Sequence, residues 1–311
     1  MRSRRAREPM VREFMMPTPF CRAVARRPGA RRRRDSNMTA VFSRVRADRR
    51  RSASTLVGEA LGAIAREVDD WSGRPVTEIR RRAREIAHEL AHTQPAMGAF
   101  GAWSAEWTRL ARSTSGPHLR RAAAYWARRR ARELSLEPGR LARTVRAALP
   151  PASRVVTISR SATLLRALAA LPSSRRPREV VALESLPGGE GRIFARELRR
   201  TGVPSRAVRD GAGESAVREA DIVLVGADSV CHDGSVVHKV GTRRLAVAAR
   251  RAGVPFVVVT GRSKWTGSRP RPDPLPRRFD RTPRWLITAF WTDRGIELEG
   301  AGRPRSRADK R

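Results

Sequence analysis

The segment Ile222-Val-Leu-Val-Gly-Ala-Asp228 predicts a buried β-strand that leads into a carboxylate. Its first four residues are all apolar, as in strands that are covered on both faces. Asp228 then lies just beyond the carboxyl end of the strand. Ligands of parallel sheets bind beyond the carboxyl ends of the strands, so Asp228 is the first residue to consider for a site.

The same alternation of strand and helix extends to both sides of this segment. The predicted elements are strands 154–158, 180–183, 205–208, 222–225 and 255–260, with helices 163–171, 191–200, 215–220 and 241–252 between them. Uniformly apolar strands that alternate with helices indicate a parallel sheet with helices on both faces. Residues 151–300 are therefore predicted to form an α/β, Rossmann-like ligand-binding domain with a mainly parallel sheet.

The preceding part of the chain has a helical period instead. Apolar residues predict two amphipathic helices, around Leu56 to Ala65 and Ile79 to Leu90, and further helices over 97–112, 118–134 and 139–149. Residues 38–150 are predicted to be a helical domain. Residues 1–37 are expected to be a disordered basic tail or a stretch upstream of a start near Met38, and residues 301–311 a second basic tail.

The charge of the chain has two explanations. A net charge of +36 over 311 residues suits a polyanionic partner such as nucleic acid. However, the arginines are spread over every segment and the only lysines are Lys239, Lys264 and Lys310, which fits a GC-rich coding bias equally well. No helix-turn-helix, zinc or RNP-type motif accompanies the charge, so a nucleic-acid role depends on charge alone.

Cysteine usage and hydropathy indicate a cytoplasmic protein. Cys21 and Cys231 are too few for a disulfide framework, and no apolar run approaches the ~18 residues of a membrane span. The histidines are scattered without paired ligand spacing, so no metal is expected. No cofactor is predicted either.

A second motif follows Asp228. The segment His238-Lys239-Val-Gly241-Thr242 opens a helix, whose free N–H groups favour an anion. Together with Asp228 it predicts an acid beside a phosphate cradle. The alternative is that Asp228 caps the turn that follows it and that Asp233-Gly234 is a plain β-turn.

These motifs resemble the superfamily of the initiation factor 2B α/β/δ subunits and the sugar-1-phosphate isomerases. Five blocks agree with the family pattern in order and spacing: Val156-Thr-Ile-Ser159-Arg-Ser161; Glu184-Ser185-Leu-Pro187 with Gly191; Gly226-Ala-Asp228 with Gly234 and His238 to Thr242; Val254-Pro-Phe-Val-Val-Val259; and Phe279-Asp280-Arg-Thr282-Pro283 with Leu286-Ile287-Thr288 and Gly295. The resemblance covers residues 153–296 well and the helical half only loosely.

The resemblance implies a site and two possible functions. By family position the catalytic residues are Asp228 and Ser159, and the ligand-binding residues are Ser161, Glu184, Glu190, His238, Lys239, Gly241 and Thr242. One branch of the superfamily isomerises aldose 1-phosphates such as methylthioribose 1-phosphate or ribose 1,5-bisphosphate. The other branch regulates translation initiation and binds sugar or nucleotide phosphates. A homodimer or higher homo-oligomer is implied, with Trp285 and Trp291 as candidate interface residues.

Four departures from the family pattern weigh on the choice of function. Ser159 stands where the isomerases have cysteine, Leu186 where arginine is usual, Glu190 where the isomerases have glutamine, and His238 where asparagine is usual. A hydroxyl is a poorer proton shuttle than a thiol, because its pKa is far higher. The sequence therefore favours a regulatory phosphate binder, with a sugar-1-phosphate isomerase as the alternative.

Overall fold

Most of the described residues after Ser153 belong to two β-sheets and the helices that cover them. A computed structural model of the protein describes residues 38–48, 51–94, 96–266, 275 and 277–298. The strands are β1 (Arg154–Ile158), β2 (Glu179–Leu183), β3 (Ser205–Val208), β4 (Ile222–Val225), β5 (Ser229–Val230), β6 (Val236–Lys239), β7 (Phe256–Val259), β8 (Phe279–Thr282), β9 (Ala289–Thr292) and β10 (Gly295–Leu298).

The larger sheet has seven strands in the order β10-β9-β7-β4-β1-β2-β3. All neighbouring pairs are parallel except β9 and β10, which form an antiparallel hairpin. The chain runs outward from β1 through β2 to β3 and then returns to β4 on the other side of β1. The strand order thus reverses between β1 and β4, which is where ligands bind in open α/β sheets. The predicted fold class is confirmed.

A smaller antiparallel sheet was not predicted. It pairs β5 with β6 and β6 with β8, so that His238 lies opposite Asp280 and Lys239 opposite Phe279. The turn between β5 and β6 contains Asp233, whose carboxylate accepts the N–H of Ser235 at 2.9 Å. This is the plain β-turn that the sequence allowed. The smaller sheet brings β6 and β8 to the carboxyl end of β4.

The helical part comprises α1 (Met38–Ala47), α2 (Ala53–Asp69), α3 (Val76–His92), α4 (Gly98–Ser113) and α5 (Gly116–Ala148); the sheet is covered by α6 (Ala162–Ala169), α7 (Glu190–Arg200), α8 (Gly213–Arg218) and α9 (Thr242–Ala252). The prediction of separate helices over 118–134 and 139–149 is wrong, because α5 continues through Pro138. Leu119 and Trp126 pack in the helical core, while Leu141 and Val145 pack under the sheet. Packing at both ends holds α5 continuous.

The core consists of a helical cluster and one cluster on each face of the larger sheet. In the helical cluster Trp107 is fully buried, and its ring meets the rings of Trp71 and Trp126 edge-on at 6.3 and 5.0 Å. Trp291 is also buried, under the sheet, so its assignment to a subunit interface is wrong for that residue; Trp285 is 55% exposed. Every helix within the described residues is too polar or too short to cross a membrane.

The predicted tails at 1–37 and 301–311 lie outside the described residues. The described residues all fall within one compact unit. The division at residue 150 into a helical and a Rossmann-like domain therefore stays a prediction. What the structure describes is a helical half and a sheet half joined by α5.

Candidate functional site

A cavity of about 90 Å³ opens where the strand order reverses. Two groups of residues line it. The first group, called the sheet wall, lies in or near the strands of both sheets. It comprises Ser159, Arg160, Ser161, Ala162, Thr163, Glu190, Ala227, Asp228, His238, Lys239, Lys264, Arg278 and Phe279. The second, the helix wall, comes from the helical half: Asp48, Arg51, Ser52, Ala53, Ser54 and Met97.

Asp228 is held by its backbone, and its carboxylate is left available. Its N–H donates to the carbonyl of Val237 at 2.9 Å, and its carbonyl accepts the N–H of Gly98 at 3.1 Å. These two bonds tie β4 to the smaller sheet and to the start of α4. The carboxylate accepts no hydrogen bond from any described residue, so the structure does not support the alternative in which Asp228 only caps a turn.

Ser159 and Ser161 follow β1 directly, across the reversal from Asp228. Ser159 has a φ of 65°, a left-handed conformation that is uncommon for a residue with a side chain. Ser161 caps α6, since its hydroxyl accepts the N–H of Leu164 at 3.2 Å. A methyl group at Gly226 would lie 2.7 Å from the Ser161 hydroxyl oxygen, so glycine is needed where β4 ends beside β1.

His238 is buried in the sheet wall and is neutral at physiological pH. Burial lowers its pKa to about 4, with smaller contributions from Lys264 and Lys239, while Asp228 raises it. The Thr242 hydroxyl donates to the carbonyl of Lys239 at 2.6 Å, so it accepts a hydrogen bond from His238 Nδ1 at 3.1 Å. This assignment of the proton leaves Nε2 as a hydrogen-bond acceptor on the cavity lining.

Lys239 and Glu190 form a short ion pair across the sheet wall. Their side chains are 15% and 18% exposed, so the pair is largely removed from water. Glu190 is the first residue of α7 and follows Gly188 and Gly189. A methyl group at Gly188 would lie 2.6 Å from the carboxyl atoms of Glu190, so the carboxylate packs closely over this glycine.

Lys264 is a site residue that the sequence analysis missed. It lies in the short 3₁₀ helix Arg262–Lys264 after β7, is 6% exposed, and donates from Nζ to the carbonyl of Ala227 at 2.8 Å. Glu137 of α5 lies beneath this turn. Burial raises the pKa of Glu137, while the Ser263 N–H and the charge of Lys264 lower it. The available signal was that Lys264 is one of three lysines in an arginine-rich chain.

Two of the three arginines in the described lining are engaged with carboxylates of the chain itself. Arg160 binds Glu197 through two hydrogen bonds of 2.7 and 2.9 Å. Arg51 in the helix wall pairs with Asp48 and with Glu59, each at 2.6 Å. Neither guanidinium is therefore positioned primarily for an anion in the cavity.

Of the predicted site residues, the lining includes Asp228, Ser159, Ser161, Glu190, His238 and Lys239, and it does not include Glu184, Gly241 or Thr242. Glu184 pairs with Arg192 at 2.9 Å, and Thr242 orients His238. The predicted phosphate cradle at the start of α9 is wrong. That helix end binds the carboxylate of Asp280, which accepts the N–H groups of Gly241 and Arg243 at 2.8 and 3.2 Å. Pairing of β6 with β8 brings Asp280 there.

These residues can perform acid–base chemistry on a small anionic ligand. Asp228 offers a carboxylate without an internal partner, Lys264 and Lys239 offer cations, and Ser159, Ser161 and His238 offer hydrogen bonds. Among the described residues, no three His, Cys, Asp or Glu side chains converge in a way that could hold a metal ion. A proton donor and acceptor beside cations is the arrangement needed for proton transfer on a phosphorylated molecule.

Known proteins share this sequence pattern and fold. The model of the initiation factor 2 subunit family matches residues 49–270. Ribose 1,5-bisphosphate isomerase of Haloterrigena turkmenica is 32% identical over 209 residues, which are 67% of this chain and 64% of that protein. The chain thus matches a little under two thirds of the length of this relative.

Two solved structures from Pyrococcus horikoshii OT3 have the same fold. Translation initiation factor eIF-2B superposes with a TM-score of 0.72 at 23% identity, over 85% of this chain and 97% of that one. 5-Methylthioribose 1-phosphate isomerase superposes with a TM-score of 0.64 at 20% identity, over 85% of each chain. The family match spans more than half of the sequence and includes Asp228, Lys239 and Lys264. The chain belongs to the initiation factor 2 subunit family.

Proposed function

We propose that the protein is an isomerase that converts the aldose form of a sugar 1-phosphate to the ketose form. The observation that carries the proposal is the carboxylate of Asp228, which has no partner among the described residues and shares one cavity with Lys239 and Lys264. The sequence alone favoured a regulatory binder. The name of the Haloterrigena relative favours the enzyme.

The reaction requires a group that moves one proton. In a cyclic aldose 1-phosphate the bond between C1 and the ring oxygen breaks, and the hydrogen on C2 moves to C1. The proton of the C2 hydroxyl leaves, and the ring oxygen gains a proton, so atoms and charge balance. A single carboxyl group can accept the first proton and donate the second.

Asp228 is the carboxylate suited to this role. The other two carboxylates of the lining are engaged, Asp48 with Arg51 and Glu190 with Lys239. Lys264 supplies positive charge for the phosphate, and the neutral His238 accepts a hydrogen bond from a sugar hydroxyl. Ser159 takes the place of the family's thiol as a hydrogen-bonding group, because a hydroxyl with an ordinary pKa does not exchange protons readily at neutral pH.

The second candidate is a regulatory binder of a sugar or nucleotide phosphate, in a homodimer or higher homo-oligomer. Ser159 favours it, because a hydroxyl in place of a thiol weakens proton transfer more than it weakens binding. In this case the same cavity binds the ligand and no product forms.

One experiment separates the two functions. The purified protein is incubated with ribose 1,5-bisphosphate or methylthioribose 1-phosphate, and ketose formation is followed by NMR. The isomerase predicts turnover in the wild type that falls about 10³-fold or more in Asp228→Asn, the range expected for loss of a general acid–base. Ligand-dependent stabilisation without turnover in the wild type would exclude the enzyme and support the binder.

A further inference from the structure

We infer that the cavity accepts a sugar carrying one phosphate monoester and that Glu190 selects against a second phosphate. The inference rests on the proposed sugar-phosphate site and adds the number of phosphates that the ligand carries. It comes from the charges of the lining residues and from the geometry around Glu190.

The lining has too few available cations for two phosphates. It contains five cationic side chains, of which Arg51, Arg160 and Lys239 are held in ion pairs with carboxylates of the chain. Arg278 donates to the side-chain oxygen of Gln94 at 3.4 Å, which leaves Lys264 among the described lining residues to balance a ligand. One phosphate monoester carries about −1.5 to −2 charges at pH 7 and two carry about twice that. The available charge is therefore nearer to that of one phosphate than to that of two.

Glu190, at the α7 side of the cavity, is the residue that limits the ligand to one phosphate. Its carboxylate neutralises Lys239, which would otherwise be a further available cation of the sheet wall. The pair is mostly shielded from water, so a phosphate that approached Lys239 would meet a nearby negative charge in a medium that screens it weakly. Replacing Glu190 by a neutral side chain would release Lys239.

The free oxygen of Glu190 favours a hydroxyl in that position. Oε2 is buried and accepts no hydrogen bond from the described residues. A buried acceptor without a donor is unfavourable, and a ligand hydroxyl removes that cost whereas a phosphate oxygen cannot. Met97 and Phe279 add apolar surface to the same lining, which suits an uncharged part of a sugar better than a second dianion.

The test compares two ligands with the same sugar. Dissociation constants of ribose 1-phosphate and ribose 1,5-bisphosphate are obtained from melting temperature as a function of ligand concentration. Turnover does not disturb the comparison, because substrate and product carry the same number of phosphates. Wild type is compared with Glu190→Gln and with Glu214→Gln, a control that breaks an exposed ion pair with Arg218 outside the cavity.

We expect the wild type to bind the monophosphate at least as tightly as the bisphosphate. In Glu190→Gln the affinity for the bisphosphate should rise about tenfold relative to the monophosphate, and Glu214→Gln should leave the ratio unchanged. A wild type that prefers the bisphosphate by tenfold or more overturns the inference without any variant. Equal changes for both ligands in Glu190→Gln also overturn it, while the sugar-phosphate site stands. If neither ligand binds wild type or variant, the proposed function fails and the inference with it.

Discussion

The sheet wall and the helix wall face the same cavity but hold their polar groups differently. In the sheet wall, Asp228 and the Nε2 atom of His238 have no internal hydrogen-bond partner within the described residues, and Lys264 donates to one carbonyl. In the helix wall, Arg51 is bound to Asp48 and Glu59. Reactive groups thus come from strand ends, and the helical half contributes charges that are already balanced. The difference predicts that substitutions in the two walls have unequal effects.

The largest expected effect is a pH dependence of stability that originates in the sheet wall. His238 is neutral when folded because its pKa is lowered to about 4, whereas in the unfolded chain it takes up a proton near its ordinary pKa of 6.5. The unfolded state therefore binds more protons between these values. The stabilisation is complete above pH 6.5 and is lost as the pH falls to about 4, with a total of about 3 kcal/mol.

Denaturant unfolding of wild type and His238→Asn from pH 7 to pH 4 measures this effect. Between pH 7 and pH 4 the free energy of unfolding of the wild type should fall by about 3 kcal/mol more than that of the variant, which has no titratable group at this position. Asp228, Lys239 and Lys264 face the imidazole and are retained in both proteins. His118→Asn, which changes an exposed histidine of α5, should behave as wild type. If the free energies of unfolding of wild type and His238→Asn changed with pH in parallel, His238 would not be held neutral in the folded protein.

The next effect concerns backbone packing beside the sheet wall. A methyl group at Gly191 of α7 would lie 1.8 Å from the carbonyl oxygen of Leu183 at the end of β2. Gly191→Ala should therefore lower the free energy of unfolding by about 2 to 3 kcal/mol, as in other overpacked cores. In the helical half, a methyl group at Gly101 of α4 meets nothing within 4 Å. Gly101→Ala should instead stabilise the protein by about 0.5 to 1 kcal/mol. Equal losses of unfolding free energy in both variants would contradict the expected difference in packing between the two positions.

Loss of the buried cation should weaken ligand binding. Lys264→Met keeps the apolar stem but removes the charge near Asp228 and the hydrogen bond to Ala227. The affinity for ribose 1-phosphate should fall about tenfold to hundredfold, because hydrogen bonds to charged groups contribute about 1.5 to 3 kcal/mol. Melting-temperature shifts with added ligand provide the measurement. An unchanged affinity would remove Lys264 from the binding site.

The smallest effect is expected in the helix wall. Arg51→Met breaks the ion pairs with Asp48 and Glu59, but the Arg51 side chain is 42% exposed, so the free energy of unfolding should fall by less than about 1 kcal/mol. Affinity for ribose 1-phosphate should change by less than about threefold, since Arg51 is already neutralised by the chain's own carboxylates. If Arg51→Met lowered the affinity as much as Lys264→Met does, Arg51 would contact the ligand and the two walls would not differ in this respect.

Local patterns predicted most of the larger sheet. The strands that begin at Arg154 and Ile222 lie where β-branched and apolar runs placed them, since a buried strand must be apolar on both faces. The smaller sheet was missed because its strands have two to four residues and an ordinary polar composition. The prediction that the helix ends before Pro138 was wrong, because tertiary packing on both sides of the proline outweighs its local preference.

By itself the sequence determined that Asp228 lies at the carboxyl edge of the sheet, because the residue after a buried strand lies at that edge. It also determined the membership of the family through blocks of residues in fixed order. Only the tertiary structure decided which charges remain available. Arg160, Lys239 and the start of α9 find their partners in Glu197, Glu190 and Asp280, from 37 to 49 residues away along the chain. Such pairs depend on how helices and strands pack, and no local pattern records them.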